Sequence, residues 1–113
     1  GNTPEGKLIA KGKLGAGVTT EQGAAAARGC AINLLAQVKA ALGDLEKIER
    51  IVKITVFVAS SKDFTEQHLV ANGASDLLVA VLGDKGRHAR SAVGTAVLPL
   101  NAPVEIEAII EVR

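Results

Sequence analysis

Aromatic side chains are nearly absent from this sequence: it has no Trp and no Tyr, and Phe57 and Phe64 alone represent the class. Proteins that hold single-stranded nucleic acid stack successive bases on aromatic rings, and two phenylalanines make no such platform. Cysteine is limited to Cys30, so no disulfide can form within the chain, which suits a reducing compartment. No charge of one sign dominates. Thirteen Lys and Arg against twelve Asp and Glu leave a formal charge of +1, too little to build a basic face for nucleic acid or an anionic membrane. No apolar run approaches the ~20 residues that span a bilayer. The opening residues, Gly1-Asn2-Thr3-Pro4-Glu5-Gly6, have neither the basic flank nor the apolar stretch of a signal peptide. The expectation is a soluble, cytoplasmic protein with no nucleic-acid and no membrane partner.

What is present is a balanced globular composition, 48% hydrophobic and 22% charged over 113 residues, enough to bury one core and to form a single domain spanning 1–113. Lys7 to Gly15 alternates loosely through Leu8, Ala10 and Leu14 and reads as a turn followed by a short strand. Thr19-Thr20-Glu21-Gln22 has the spacing of a capping box, with Thr19 as N-cap and Gln22 three residues on. Ala27, Ala31, Leu34, Leu35, Val38, Ala41 and Leu42 then recur at helical spacing, with Lys39 near the end and Gly43 as a left-handed stop. From Ile51 to Ala59 the period changes to two: Val52, Ile54, Val56 and Val58 on one side, Ile51, Lys53, Thr55 and Phe57 on the other. Their β-branched character predicts a central strand. Ser60 to Asp63 supplies turn and cap chemistry, and Phe64 to Leu82 reads as a second helix, ending at Gly83 and open to a break near Asn72-Gly73. Ala89–Leu98 and Val104–Val112 read as two final strands joined through Pro99 to Pro103.

The order β-α-β-α-β-β, without linker or repeat, implies an α+β sandwich with both helices on one face of a single sheet. The other face then carries Phe57, Val93, Val97 and Ile109 with nothing to cover them. An exposed patch of that kind is unusual for a monomer, so association through the open sheet face is expected from the pattern alone.

Five groups of residues are candidates for chemistry. Arg90 stands near the start of an otherwise apolar strand, Ala89-Arg90-Ser91-Ala92-Val93-Gly94. Its planar fork suits a carboxylate or phosphate, and a strand-end arginine reaching solvent is the other reading. Glu105 and Glu107 share one face of the last strand. They are either a solvated polar edge or carboxylates placed for general acid–base work. The last two strands can be neighbours, which would let Glu105 approach Arg90 within a protomer or across an interface. His68 and His88 are the only histidines, and with Cys30 far off they show no metal-binding spacing. Gly12 to Gly17 and Gly83 to Gly86 complete neither a Walker loop nor a dinucleotide fingerprint and read as turns. Cys30, inside the first helix with no histidine near it in sequence, reads as a small buried hydrophobe.

The ordered set His88-Ala89-Arg90-Ser91-Ala92-Val93-Gly94, Leu98-Pro99 and Val104-Glu105-Ile106-Glu107-Ala108 resembles the Rid (reactive intermediate deaminase) family. That family is also labelled endoribonuclease L-PSP and belongs to the chorismate-mutase-like superfamily. Val52 to Val58 and Asp63-Phe64 resemble its preceding strand and helix start. The resemblance implies a homotrimer around a central barrel, with a cleft between each pair of neighbours. It places the carboxylate-binding arginine at Arg90, a main-chain contact at Ala92 where many members have cysteine, and the water-orienting glutamate at Glu105. His68 stands where members carry a helix asparagine, and His88 joins it as a further substrate contact. Gly1 falls on the glycine of a Ser-Gly-Gln segment at the cleft. The strand hairpin that precedes that segment in family members has no counterpart here, which leaves an incomplete sequence or a gap that something else fills.

The activity so implied is hydrolytic deamination of reactive 2-imino or enamine acids to 2-oxo acids and ammonia, with Arg90 and Glu105 as the working pair and no cofactor or metal. The partner is a small carboxylate-bearing metabolite. Two other readings stand beside it: a non-catalytic metabolite-binding or interaction trimer, and the endoribonuclease or translation inhibitor of the older family label.

Overall fold

The computed structural model describes residues 11–113. Gly1 and the first part of the expected opening strand, Leu8 and Ala10 included, lie outside the described residues. Two paired two-residue strands, β1 (Lys13–Leu14) and β2 (Gly17–Val18), come first, followed by α1 (Thr20–Leu42), β3 (Ile48–Ala59), α2 (Gln67–Leu82), β4 (Ala89–Thr95) and β5 (Val104–Val112). Short 3-10 turns at Leu45–Lys47, Gly83–Gly86 and Pro99–Asn101 join them. The N-terminus of α1 is the predicted capping box: the Thr19 side chain accepts from the Gln22 N–H, and the Gln22 side chain accepts from the Thr19 N–H. Gly43 closes the helix in the left-handed region, its N–H donating to the Lys39 carbonyl. No helix among the described residues is long and apolar enough to cross a membrane.

β3, β4 and β5 form one mixed sheet in the order β4-β3-β5. The central strand pairs parallel with β4 and antiparallel with β5, and the helices cover one face. The expected adjacency of the last two strands is therefore wrong. β3, with its run of β-branched residues buried by both neighbours, separates them. Its alternation also departs from the sequence reading. Register shifts interrupt its pairing with β5 between Ile48 and Arg50 and between Ile51 and Lys53. A bulge advances the strand by one residue without reversing its face. Ile48, Ile51 and Ile54 all turn inward and are fully buried, whereas Val52, expected inside, is half-exposed. Beyond the bulge the period of two holds, with Val56 and Val58 buried beside Ile54.

The second helix starts at Gln67, three residues later than Phe64. Phe64 belongs to the turn before it, its N–H donating to the Ser61 carbonyl. The opening strand does not join the main sheet: Leu14 bridges to Ser60, just past the end of β3, and accepts from the Ser61 N–H. β4 ends at Thr95 rather than Leu98.

Asn72-Gly73 does not break α2. A Cβ built on Gly73 would lie 2.0 Å from the Ala24 carbonyl oxygen of α1, so glycine is there to let two helix backbones meet. That contact, with Ala26, Ala27, Ala31, Ala71 and Ala74 fully buried around the helix pair, brings both helices close enough to share one three-stranded sheet. Substituting Gly73→Ala removes ~1 kcal/mol of helix-propensity penalty but forces the helices apart. The net expectation is a loss of about 1–3 kcal/mol, read as a lower chemical-denaturation midpoint with an unchanged slope.

Candidate functional site

Arg90 leaves β4 on the helix-covered side of the sheet, since its register partner is the fully buried Ile54. At the sheet edge its guanidinium reaches the flank of α2. Nη1 donates to the Asn72 Oδ1 at 2.8 Å and to the Ser75 Oγ at 3.1 Å, and Nη2 donates to the His68 carbonyl at 3.4 Å. His68, Asn72 and Ser75 follow one another at spacings of four and three, which places them on one stripe of a helix. Every acceptor is neutral. By contrast Arg50, Arg87 and Arg113 face carboxylates at 3.5, 3.2 and 3.9 Å. Among the described residues Arg90 has no carboxylate partner, although it is held in place and exposed.

Three of its five N–H groups are used. Those left, on Nε and Nη2, belong to the edge of the guanidinium plane that a carboxylate engages side-on. The backbone next to it is also available. The Ser60 N–H donates to the Thr95 carbonyl, which fixes the parity of the parallel ladder. Thr95, Val93, Ser91 and Ala89 turn their peptide groups toward β3, and Arg90, Ala92 and Gly94 turn theirs toward the free edge. Ala92 thus offers main-chain groups two residues from Arg90 while its side chain packs on the core.

The two histidines sit differently from expectation. The exposed His68 contributes its carbonyl, not its ring, to Arg90. The amide side chain that touches the guanidinium is that of Asn72, one helical turn further on. In the sequence Asn72 suggested only a possible helix break. The signal that could have found it is the i, i+4 spacing from His68, visible once the helix is known to be unbroken. His88 points back to α2, its Nε2 2.9 Å from the Ser75 Oγ and its Nδ1 against the Gly86 carbonyl.

Glu105 is elsewhere. It pairs with Phe57, as Val93 does from the other side, and so lies on the open face. Two strand spacings and three residues of register put its Cα about 10 Å across and about 10 Å along from that of Arg90, with the sheet between the side chains. Within one chain the two residues do not converge. Glu105 is exposed and borders a hollow of about 320 Å³ between α1 and the 98–106 segment, with Cys30, Gln37, Leu98 and Ile106 among its walls. Cys30 is half-buried rather than buried, its thiol directed at the Val104 carbonyl at 3.6 Å. Of the glycine-rich segments, Gly12 to Gly17 holds β1 and the turn into β2 rather than a turn alone, with Gly12, Gly15 and Gly17 at positive φ, and Gly83–Gly86 is a single 3-10 turn. No group of three or more His, Cys, Asp or Glu side chains among the described residues could hold a metal ion.

The open face carries Lys53, Thr55 and Phe57 on β3, Ser91 and Val93 on β4, and Glu105, Glu107 and Ile109 on β5. Val93 is 40% and Ile109 58% exposed.

Comparison with known proteins places this architecture. The family model described as "YjgF/chorismate_mutase-like, putative endoribonuclease" matches residues 2–112. The protein Atu1372 of unknown function from Agrobacterium tumefaciens superimposes with a TM-score of 0.96 at 55% identity, over 98% of this chain and 71% of that one. A structure from Shewanella oneidensis titled a "putative endoribonuclease" gives 0.92 at 35% identity, over 96% and 72% of the two chains. A curated relative, Protein TCP17 of Trypanosoma cruzi, is 56% identical over 103 residues, 90% of this chain; the match spans 64% of that protein's length. On the match across residues 2–112 and these identities, the chain belongs to the YjgF/chorismate-mutase-like family.

Proposed function

We propose that this chain is the protomer of a homotrimeric hydrolase that deaminates small 2-imino or enamine acids, with Arg90 of one copy and Glu105 of another completing each site. The observation that carries this reading is the guanidinium of Arg90, oriented by three neutral acceptors and left without a counter-charge among the described residues. A planar carboxylate matches the two donors that remain.

The chemistry then needs few groups. An enamine takes a proton on carbon and gives up one from nitrogen to become the imine. Water, losing a proton to Glu105, adds to the imine carbon while the C=N electron pair moves onto nitrogen and that proton follows. A second proton on nitrogen, matched by loss of the hydroxyl proton, breaks the C–N bond and leaves the 2-oxo acid and ammonia. An imine is already electrophilic, so the step calls for no cofactor.

Two features support a composite site. Arg90 and Glu105 lie on opposite faces and opposite edges of one sheet, so a site that holds both draws them from two copies. The open face also holds exposed Val93 and Ile109 beside Lys53 and two glutamates, a mixture able to pair with its own copy around a symmetry axis. An endoribonuclease reading finds less support. The same face presents Glu105 and Glu107 where a phosphate backbone would need cations, and no aromatic platform accompanies them. A binding-only trimer is the second reading, favoured by Ala92 and His68 standing where many family members carry cysteine and asparagine.

Two measurements decide. Freshly generated 2-aminoacrylate should release ammonia faster with the protein than without it. Arg90→Ala and Glu105→Gln should each lower kcat/KM at least about a hundredfold, the usual scale for losing a general base or a bidentate anchor; rates equal to the parent's in both variants would remove the assignment, and tight 2-oxo acid binding without turnover would select the binding-only reading. In light scattering the parent should have three times the mass of one chain. Ile109→Lys sets a like charge opposite Lys53 and should shift that mass toward the monomer.

A further inference from the structure

We infer that Ser75 and His88 are positioning residues: through a relay that ends on the Gly86 carbonyl they set which edge of the Arg90 guanidinium faces the ligand. The inference rests on the carboxylate-binding reading of Arg90 given above, and it concerns residues that would not themselves touch the ligand.

The relay follows from donor and acceptor rules. A carbonyl can only accept, so the His88 Nδ1 beside Gly86 carries a proton and donates it. In the neutral ring Nε2 is then an acceptor, and the Ser75 hydroxyl 2.9 Å away donates to it. That commits the Ser75 proton and turns an oxygen lone pair toward Arg90 Nη1, which donates to it at 3.1 Å. Asn72 Oδ1 takes the other Nη1 hydrogen at 2.8 Å. Both hydrogens of Nη1 are thereby occupied, and the guanidinium can present only the side formed by Nε and Nη2.

The anchor of the relay is itself fixed. Gly86 is buried against α2, and a Cβ there would fall 2.3 Å from the Leu78 carbonyl, so the peptide bearing the terminal acceptor sits hard on the helix that carries Ser75. The segment leading from Gly86 into β4 is thus tied to α2 at Gly86–Leu78, His88–Ser75 and Arg90–Asn72. A free arginine side chain samples many rotamers, and holding it in one removes an entropy loss that binding would otherwise meet. On this account His88 acts behind the arginine, in place of the direct substrate contact expected for it.

The test uses the intact chain, pyruvate as a carboxylate probe and pyruvamide as a probe with the same oxo group and no carboxylate, with binding followed by NMR of the Arg90 side-chain Nε–H. Ser75→Ala should weaken pyruvate about five- to tenfold, the net scale of one intramolecular hydrogen bond, leave pyruvamide unchanged and broaden or shift the Nε–H signal. Asn72→Asp gives a control that a merely structural role cannot mimic: an acidic partner for Arg90 preserves or raises the thermal midpoint, yet should weaken pyruvate more than tenfold by competing for the guanidinium. Ser75→Ala binding pyruvate as the parent does would overturn the positioning role while leaving the carboxylate reading intact, whereas Asn72→Asp retaining full affinity would count against the carboxylate reading itself. If the parent itself fails to bind pyruvate, or Arg90→Ala binds it equally, the underlying reading falls and takes this inference with it.

Discussion

The contact between α1 and α2 at Gly73 is the constraint on which the site depends. Because Gly73 has no Cβ, the α2 backbone rests against the Ala24 carbonyl, and the alanine-lined seam between the helices closes. The neighbours of Gly73 in the helix are the residues that hold Arg90: Asn72 immediately before it and Ser75 two positions after. The same close approach that packs the helix pair therefore sets how far α2 stands from β4. A helix displaced by the width of a methyl group would carry Asn72 and Ser75 beyond the ~3 Å reach of a hydrogen bond. Stability and ligand recognition are coupled here through one backbone contact.

A second consequence follows from strand parity. Arg90 shares its face with Ile54 and Glu105 shares the other face with Phe57, and no side-chain rotation carries either across a hydrogen-bonded sheet. In the proposed enzyme the cleft belongs to the assembly, and the half-apolar open face is what gives a second copy a reason to be there. Binding and association are then linked: a ligand that bridges the two halves favours the assembled state by mass action.

Much of the local structure was legible from residue patterns. The capping box at Thr19 and the stop at Gly43 depend on neighbours within a few positions, and each appears where the pattern puts it. The errors arose where distant contacts override local preference. Ile51 turns inward because a bulge against β5 compensates for the shift, and nothing within β3 announces that. Gly73 reads as a weak point in a helix until the partner backbone beside it is known. The start of α2 slips from Phe64 to Gln67 because Glu66 caps it with no side-chain hydrogen bond, leaving no motif to find.

The sequence by itself determined the α+β class, the number and order of the long elements, and Arg90 as an isolated charge in an apolar strand, because periodicity and capping are short-range properties of a chain. Tertiary structure alone decided that β3 lies between β4 and β5, that Asn72 and Ser75 rather than the His68 ring meet the guanidinium, and that Arg90 and Glu105 stand on opposite faces. Those are outcomes of which surfaces pack together, and residues far apart in the chain have no local signal by which to declare that they will meet.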